Sequence, residues 1–87
     1  MKPYIISIFV NTNKNGQPIM LFYRTNRIDK LQQFEQKVLT KAGNKQLGGM
    51  HTMSGNNILT PEDLKHEDPY FEKFKVINTI NEYISLL

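Results

Sequence analysis

The chain is expected to fold as one α+β domain, an N-terminal β-hairpin packed on two amphipathic helices in the order ββα(β)α, with the bracketed strand completing a three-stranded antiparallel sheet. Three observations predict it. Residues 4–10 and 18–24 are near-continuous apolar runs separated by an Asn- and Gly-rich stretch, which reads as strand–turn–strand. Residues 28–42 repeat apolar side chains at three- and four-residue spacing, the period of a helix face. The last third holds two Pro-marked helix starts followed by a second apolar stripe. Eighty-seven residues leave room for one core, so residues 1–87 are read as a single domain.

Within the hairpin, Asn15-Gly16 is the strongest turn signal, because a two-residue type I′ turn needs positive φ at both central residues. That turn sets Val10 opposite Leu21, Phe9 opposite Phe22, Ile8 opposite Tyr23 and Ser7 opposite Arg24. Ile6, Ile8, Val10, Ile19, Leu21 and Tyr23 then form an apolar core face, and Ile5, Ser7, Phe9, Met20, Phe22 and Arg24 a mixed one. A wider loop shifts this register and swaps the faces of one strand.

In the first helix, Ile28, Leu31, Phe34, Val38 and Ala42 make the stripe, Asn26 is the expected N-cap and Gly43 the stop. Gly48-Gly49 and Ser54-Gly55-Asn56-Asn57 are turn material, and Met50-His51-Thr52-Met53 between them suits a short third strand. Thr60-Pro61-Glu62-Asp63 opens a short helix. Asp68-Pro69 repeats the signal, and Tyr70, Phe74, Ile77, Ile80 or Asn81, Ile84 and Leu87 predict one long helix over 69–87.

Composition narrows the function classes. With no cysteine, disulfides, thiolate metal sites and a cysteine nucleophile are excluded. A secreted domain of this size is usually stapled, so an intracellular, cytoplasmic protein is expected. The apolar N-terminal run lacks a small-residue cleavage site and is read as a strand, and no stretch approaches the length of a membrane span. Abundant Asn, Lys and Ile beside a single alanine, Ala42, suit AT-rich coding of phage or plasmid type.

Charge is the most informative feature. Residues 1–50 carry eight cations against Asp29 and Glu35, whereas residues 51–87 carry Lys65, Lys73 and Lys75 against six carboxylates. On the first helix Lys30, Lys37 and Lys41 fall within about 60° of one another, a basic ridge expected roughly opposite the apolar stripe. Arg24, Arg27 and Lys14 are expected to extend it, and Lys45 follows it in sequence. The functional reading is a non-catalytic binding protein whose Arg24, Arg27, Lys30, Lys37, Lys41 and Lys45 meet a polyanion, either nucleic acid or an acidic protein surface. The plain alternative is a solvated helix face. Phe9 and Phe22 as cross-strand neighbours suit a base-stacking platform, or else lie in the core under a helix.

Two other function classes stay open. One is a protein–protein interaction module or inhibitor using a sheet edge or the 48–57 loop, where Met50 and Met53 are adaptable contact residues, with self-association through that edge. The other is a small nuclease or toxin built on His51 or His66. Neither histidine has a partner at metal-ligand spacing, no glycine-rich phosphate loop occurs and no nucleophile-elbow serine is present. No cofactor, no metal and no catalytic residue are therefore expected.

Overall fold

The computed structural model describes residues 4–55 and 60–87. Strands β1 (Tyr4–Thr12) and β2 (Pro18–Thr25) form the hairpin, and helix α1 (Ile28–Ala42) follows. Strand β3 (Gly49–Gly55), helix α2 (Pro61–Glu67), a 3-10 turn (Pro69–Lys73), strand β4 (Lys75–Ile77) and helix α3 (Ile80–Leu86) complete the chain. The sheet order is β3-β1-β2-β4, with β1 antiparallel to both β2 and β3, and β4 parallel to β2.

The α+β class and the third strand are as expected, but the hairpin register is one residue off. Phe9 pairs with Leu21, Ile8 with Phe22, and Ser7 with Tyr23. The cause lies in the loop. The Asn13 side-chain oxygen accepts from the Asn15 and Gln17 backbone N–H groups at 2.9 Å, and the Asn13 N–H donates to the Gln17 carbonyl. This Asx-type closure makes a wider loop in which Gly16 alone takes positive φ, so the two-residue turn does not form.

A one-residue shift moves every β2 side chain to the other sheet face. One face joins Ile6, Ile8, Val10 and Met20 to Leu64, Phe71 and Phe74 of the α2 segment. The opposite face joins Phe9, Ile19 and Leu21 to Val38, Ile77 and Tyr83 of α1, β4 and α3. Phe9 and Phe22 thus lie on opposite faces, Phe9 buried in one cluster and Phe22 half-buried against the other. Both are core residues, and the base-stacking platform is not built.

Helix α1 runs over the expected residues, but Arg27 rather than Asn26 is its N-cap, without a side-chain cap bond. Leu31, Val38 and Ala42 are buried, while Ile28 is 55% exposed. Helix α2 opens as its sequence predicts: Thr60 Oγ1 accepts from the Asp63 N–H, and the Asp63 carboxylate accepts from the Thr60 N–H.

The long helix over 69–87 is not formed. Lys75–Ile77 leave the helical path to pair with Ile19–Leu21 of β2, where β-branched Val76 and Ile77 suit a strand. Thr79 then restarts the chain, its hydroxyl accepting from the Glu82 N–H of α3. The apolar spacing that mimics one helix in fact serves both faces of the sheet: Phe74 packs on one, Ile77 on the other. The turn expected at Asn56-Asn57 lies outside the described residues, as does Met1-Lys2-Pro3.

Tyr83 anchors α3 to the 43–48 loop. Its ring is fully buried and its hydroxyl donates to the Leu47 carbonyl at 2.7 Å. Burial pushes its phenol up to about 12 from an ordinary 10, a rise partly offset by the Asn11 side chain. A raised folded-state value stabilises the fold while the phenol is neutral in both states. Stability is therefore expected to fall as pH climbs from 10 to about 12. Alkaline titration of denaturant midpoints checks this. Tyr83→Phe is expected to lose that dependence while being less stable at neutral pH. An unchanged alkaline profile in Tyr83→Phe refutes the assignment.

Candidate polyanion-facing surface

Four of the six expected binding residues lie along α1 and the turn after it. Lys30 and Lys37 are exposed on the helix. Lys41 Nζ donates to Asn81 Oδ1 of α3 at 2.8 Å, and Lys45 Nζ donates to the Ile84 carbonyl at 2.9 Å. Lys45 thus serves the C-terminal end of α3, where orphan carbonyls favour a cation.

The ridge is not opposite the buried stripe. At about 100° per residue, Lys30, Lys37 and Lys41 sit only about 100° round from the Leu31, Val38 and Ala42 line. They occupy the flank that carries Phe34, whose ring stacks on Tyr23 of β2 at 4.3 Å. This flank faces β2 and α3, which is why Lys41 reaches Asn81. Beside it runs a shallow groove of about 380 Å³ lined by Gln33, Gln36, Lys37, Thr40 and Lys41. Its amide and hydroxyl groups offer hydrogen bonds next to the positive charges.

The two arginines do not extend the ridge. Arg27 forms a two-point ion pair with Asp29 at 2.8 and 3.1 Å. The guanidinium holds the Asp29 carboxyl below the usual carboxylate range. Arg24 pairs with Ile6 in register, which puts it on the sheet face opposite α1, and its guanidinium lies 4.9 Å from the Tyr4 ring centroid. The register shift explains the change: the two-residue turn pairs Arg24 with Ser7, whose side chain points toward α1 and donates to Glu35.

The charge asymmetry along the chain becomes an asymmetry between faces. Residues 61–73, which pack on the side away from α1, carry Glu62, Asp63, Glu67, Asp68 and Glu72 against Lys65 and Lys73. Among the described residues the only ion pair is Arg27–Asp29, so no carboxylate from the tail neutralises Lys30, Lys37 or Lys41. The sheet separates the acidic segment from the ridge.

On the acidic side, a cleft of about 850 Å³ opens between the 3-10 turn and the strand ends, lined in part by Val10, Pro18, His51, Tyr70, Lys73 and Phe74. His51 on β3 meets the Phe71 ring edge-on at 6.3 Å, and His66 lies exposed in the last turn of α2. Among the described residues no three His, Asp or Glu side chains converge as a metal site would require. No helix among them is long and apolar enough to cross a membrane.

Sequence reasoning missed the groove residues Gln33, Gln36 and Thr40 beside the lysines. Their i, i+3, i+7 spacing was the available signal. Compared with models of protein families, with curated proteins and with solved structures, the chain matched none.

Proposed function

We propose that this is a small binding protein that holds a nucleic-acid backbone along the α1 ridge. The observation that supports it is the row Lys30, Lys37 and Lys41 on one exposed flank, without a carboxylate partner among the described residues and shielded by the sheet from the acidic segment. Lysines along a helix meet phosphates as point charges, and binding is driven by counterion release without base readout. The polar groove next to them adds hydrogen bonds to backbone oxygens.

The test is fluorescence anisotropy with labelled duplex and single strands of unrelated sequence over a salt series. Three phosphate contacts predict a slope of about −3 in log K against log salt for duplex. Reversing the ridge with Lys30→Glu, Lys37→Glu and Lys41→Glu together is expected to weaken binding by well over tenfold for every sequence. Arg24→Glu, on the other sheet face, is expected to leave binding unchanged. Absence of salt-sensitive binding, or a reversed ridge that binds as before, removes the proposal. Salt-sensitive capture of a defined acidic protein, with no nucleic-acid binding, points instead to an acidic protein surface as the polyanion.

A second reading, an interaction module working through strand addition, is favoured by β3. This strand lies at the edge of the sheet and is exposed along most of its length.

A further inference from the structure

The outer edge of β3 is geometrically self-complementary. The Asn13 N–H bonds to the Gln17 carbonyl in the hairpin loop. Backbone groups alternate sides along an antiparallel pair. Tyr4, Ile6, Ile8 and Val10 therefore turn theirs toward β3, where they face Gly55, Met53, His51 and Gly49. The N–H and C=O groups of Met50, Thr52 and Ser54 consequently point outward, where among the described residues no backbone group pairs with them. These three residues are spaced symmetrically about Thr52.

Natural edges are usually guarded by lysine, proline or a bulge. Gly49-Met50-His51-Thr52-Met53-Ser54-Gly55 has no Lys, Arg, Asp, Glu or Pro, and its register with β1 is unbroken. An antiparallel copy centred on Thr52 sets Gly49 against Gly55, Met50 against Ser54 and His51 against Met53. No like charges oppose each other. Two backbone bonds at each outward-facing pair give about six across the junction.

An independent feature on the helix points the same way. Glu35 of α1 accepts from Ser7 Oγ at 2.9 Å and from Thr52 Oγ1 at 3.4 Å, so this flank of α1 leans toward β3. Ile28 and Leu39 lie within about 40° of Glu35 around the helix. Met50 pairs with Phe9 and so shares the sheet face under α1. Ile28, Leu39 and Met50 are 55, 53 and 52% exposed, three of the four large apolar side chains left open among the described residues. Ile28 and Leu39 turn toward the unguarded edge on the opposite flank of α1 from the lysines, and Met50 lies on the edge strand itself.

From this we infer that the chain forms a two-fold homodimer by pairing β3 with β3 of a second copy, antiparallel about Thr52. The four-stranded sheet then continues across the dyad. An axis perpendicular to the sheet keeps both α1 helices on one face. The Ile28 and Leu39 flanks turn inward toward each other above Met50, and the two lysine ridges turn outward. A foreign strand could use the same edge, but neutrality and the symmetric spacing about Thr52 favour a second copy.

The test is analytical ultracentrifugation of the full chain over a concentration series. The wild-type chain is expected to show a reversible monomer–dimer equilibrium. Thr52→Pro removes an outward N–H without touching a β1 bond, as proline is tolerated on an open edge. It is expected to weaken dimerisation by more than about tenfold with an unchanged circular dichroism spectrum. Thr52→Val keeps the N–H and is expected to dimerise. In a chain without cysteine, Thr52→Cys is expected to cross-link to itself on mild oxidation, because paired Cα atoms about 5.5 Å apart suit a disulfide. Gln33→Cys, away from the edge, is not. A wild-type chain that stays monomeric at the highest concentrations reached overturns the proposal. So does Thr52→Cys cross-linking no faster than Gln33→Cys, whether or not Thr52→Pro folds. If a foreign extended peptide binds in a Thr52→Pro-sensitive way while the chain alone stays monomeric, the edge takes a partner strand and the homodimer is refuted.

Discussion

Phe9→Ala is expected to lower stability by about 3–5 kcal/mol, the usual cost of truncating a fully packed phenylalanine. Phe9 is 2% exposed in the middle of β1 and packs beneath both α1 and α3. Its ring lies 6.3 Å from that of Phe34 and 6.5 Å from that of Tyr83. Truncation removes a contact shared by three elements and leaves a cavity that their backbones cannot easily close. A domain of this size has a total stability of about 5–15 kcal/mol, at the lower end for a short chain. Much of the variant population should therefore unfold well below the wild-type temperature. Urea denaturation followed by circular dichroism measures the shift. Phe22→Ala, half-buried on the other face, is expected to cost less. Because the sheet separates the two rings, the double variant should lose close to the sum. A strong coupling energy would mean that they are neighbours on one face, as the two-residue turn requires, and would contradict the observed register.

Gly48→Ala is expected to cost about 3 kcal/mol or more, from two separate causes. Gly48 has φ +81°, a left-handed conformation that a side chain disfavours by about 1–2 kcal/mol. A Cβ there would also overlap the Val10 backbone carbonyl oxygen and press on the Asn11 side chain. That clash cannot be relieved by a rotamer change, because the obstacle is backbone. The next residue, Gly49, begins β3 opposite Val10, so the displacement passes directly into the edge strand. It also disturbs the bond from Asn11 Nδ2 to the Gln46 carbonyl and the one from Tyr83 to Leu47. Gly43→Ala provides the comparison. Gly43 has φ +58°, but a methyl group on its Cα would meet nothing within 4 Å, so only the conformational cost applies. Equal losses at the two glycines would show that the close approach at Val10 does not matter. Hydrogen exchange should report faster opening of β3 in Gly48→Ala than in Gly43→Ala.

Legibility differed from element to element for identifiable reasons. Helix α1 and the start of α2 were readable because their signals are local: an apolar period in the first, a Thr–Pro–acid cap in the second. The lysine row was readable too, since a helix fixes the angle between Lys30, Lys37 and Lys41 whatever surrounds it. Its offset of about 100° from Leu31, Val38 and Ala42 follows from the same helix step, but which neighbour each flank meets does not, because Phe34 and Glu35, both half-buried, face different strands and only packing says which side is which. The restart at Thr79 had a visible signal, the Thr79–Glu82 spacing of a capping box, which the apolar stripe across it masked.

The sequence alone determined which residues seek burial, where α1 begins and ends to within a residue, and that cations and acids occupy different halves of the chain. Tertiary structure alone decided the hairpin register, the strand at Lys75–Ile77 and the face on which Arg24 lies. The physical reason is that each is settled by a competition that the strongest local signal does not decide. In the hairpin two loop closures within the same five residues compete, and the Asn13 side chain closing the wider one prevails over the Asn15-Gly16 turn. At Val76 and Ile77 the hydrogen bonds come from the β2 edge, far away along the chain, and no window of neighbouring residues shows them.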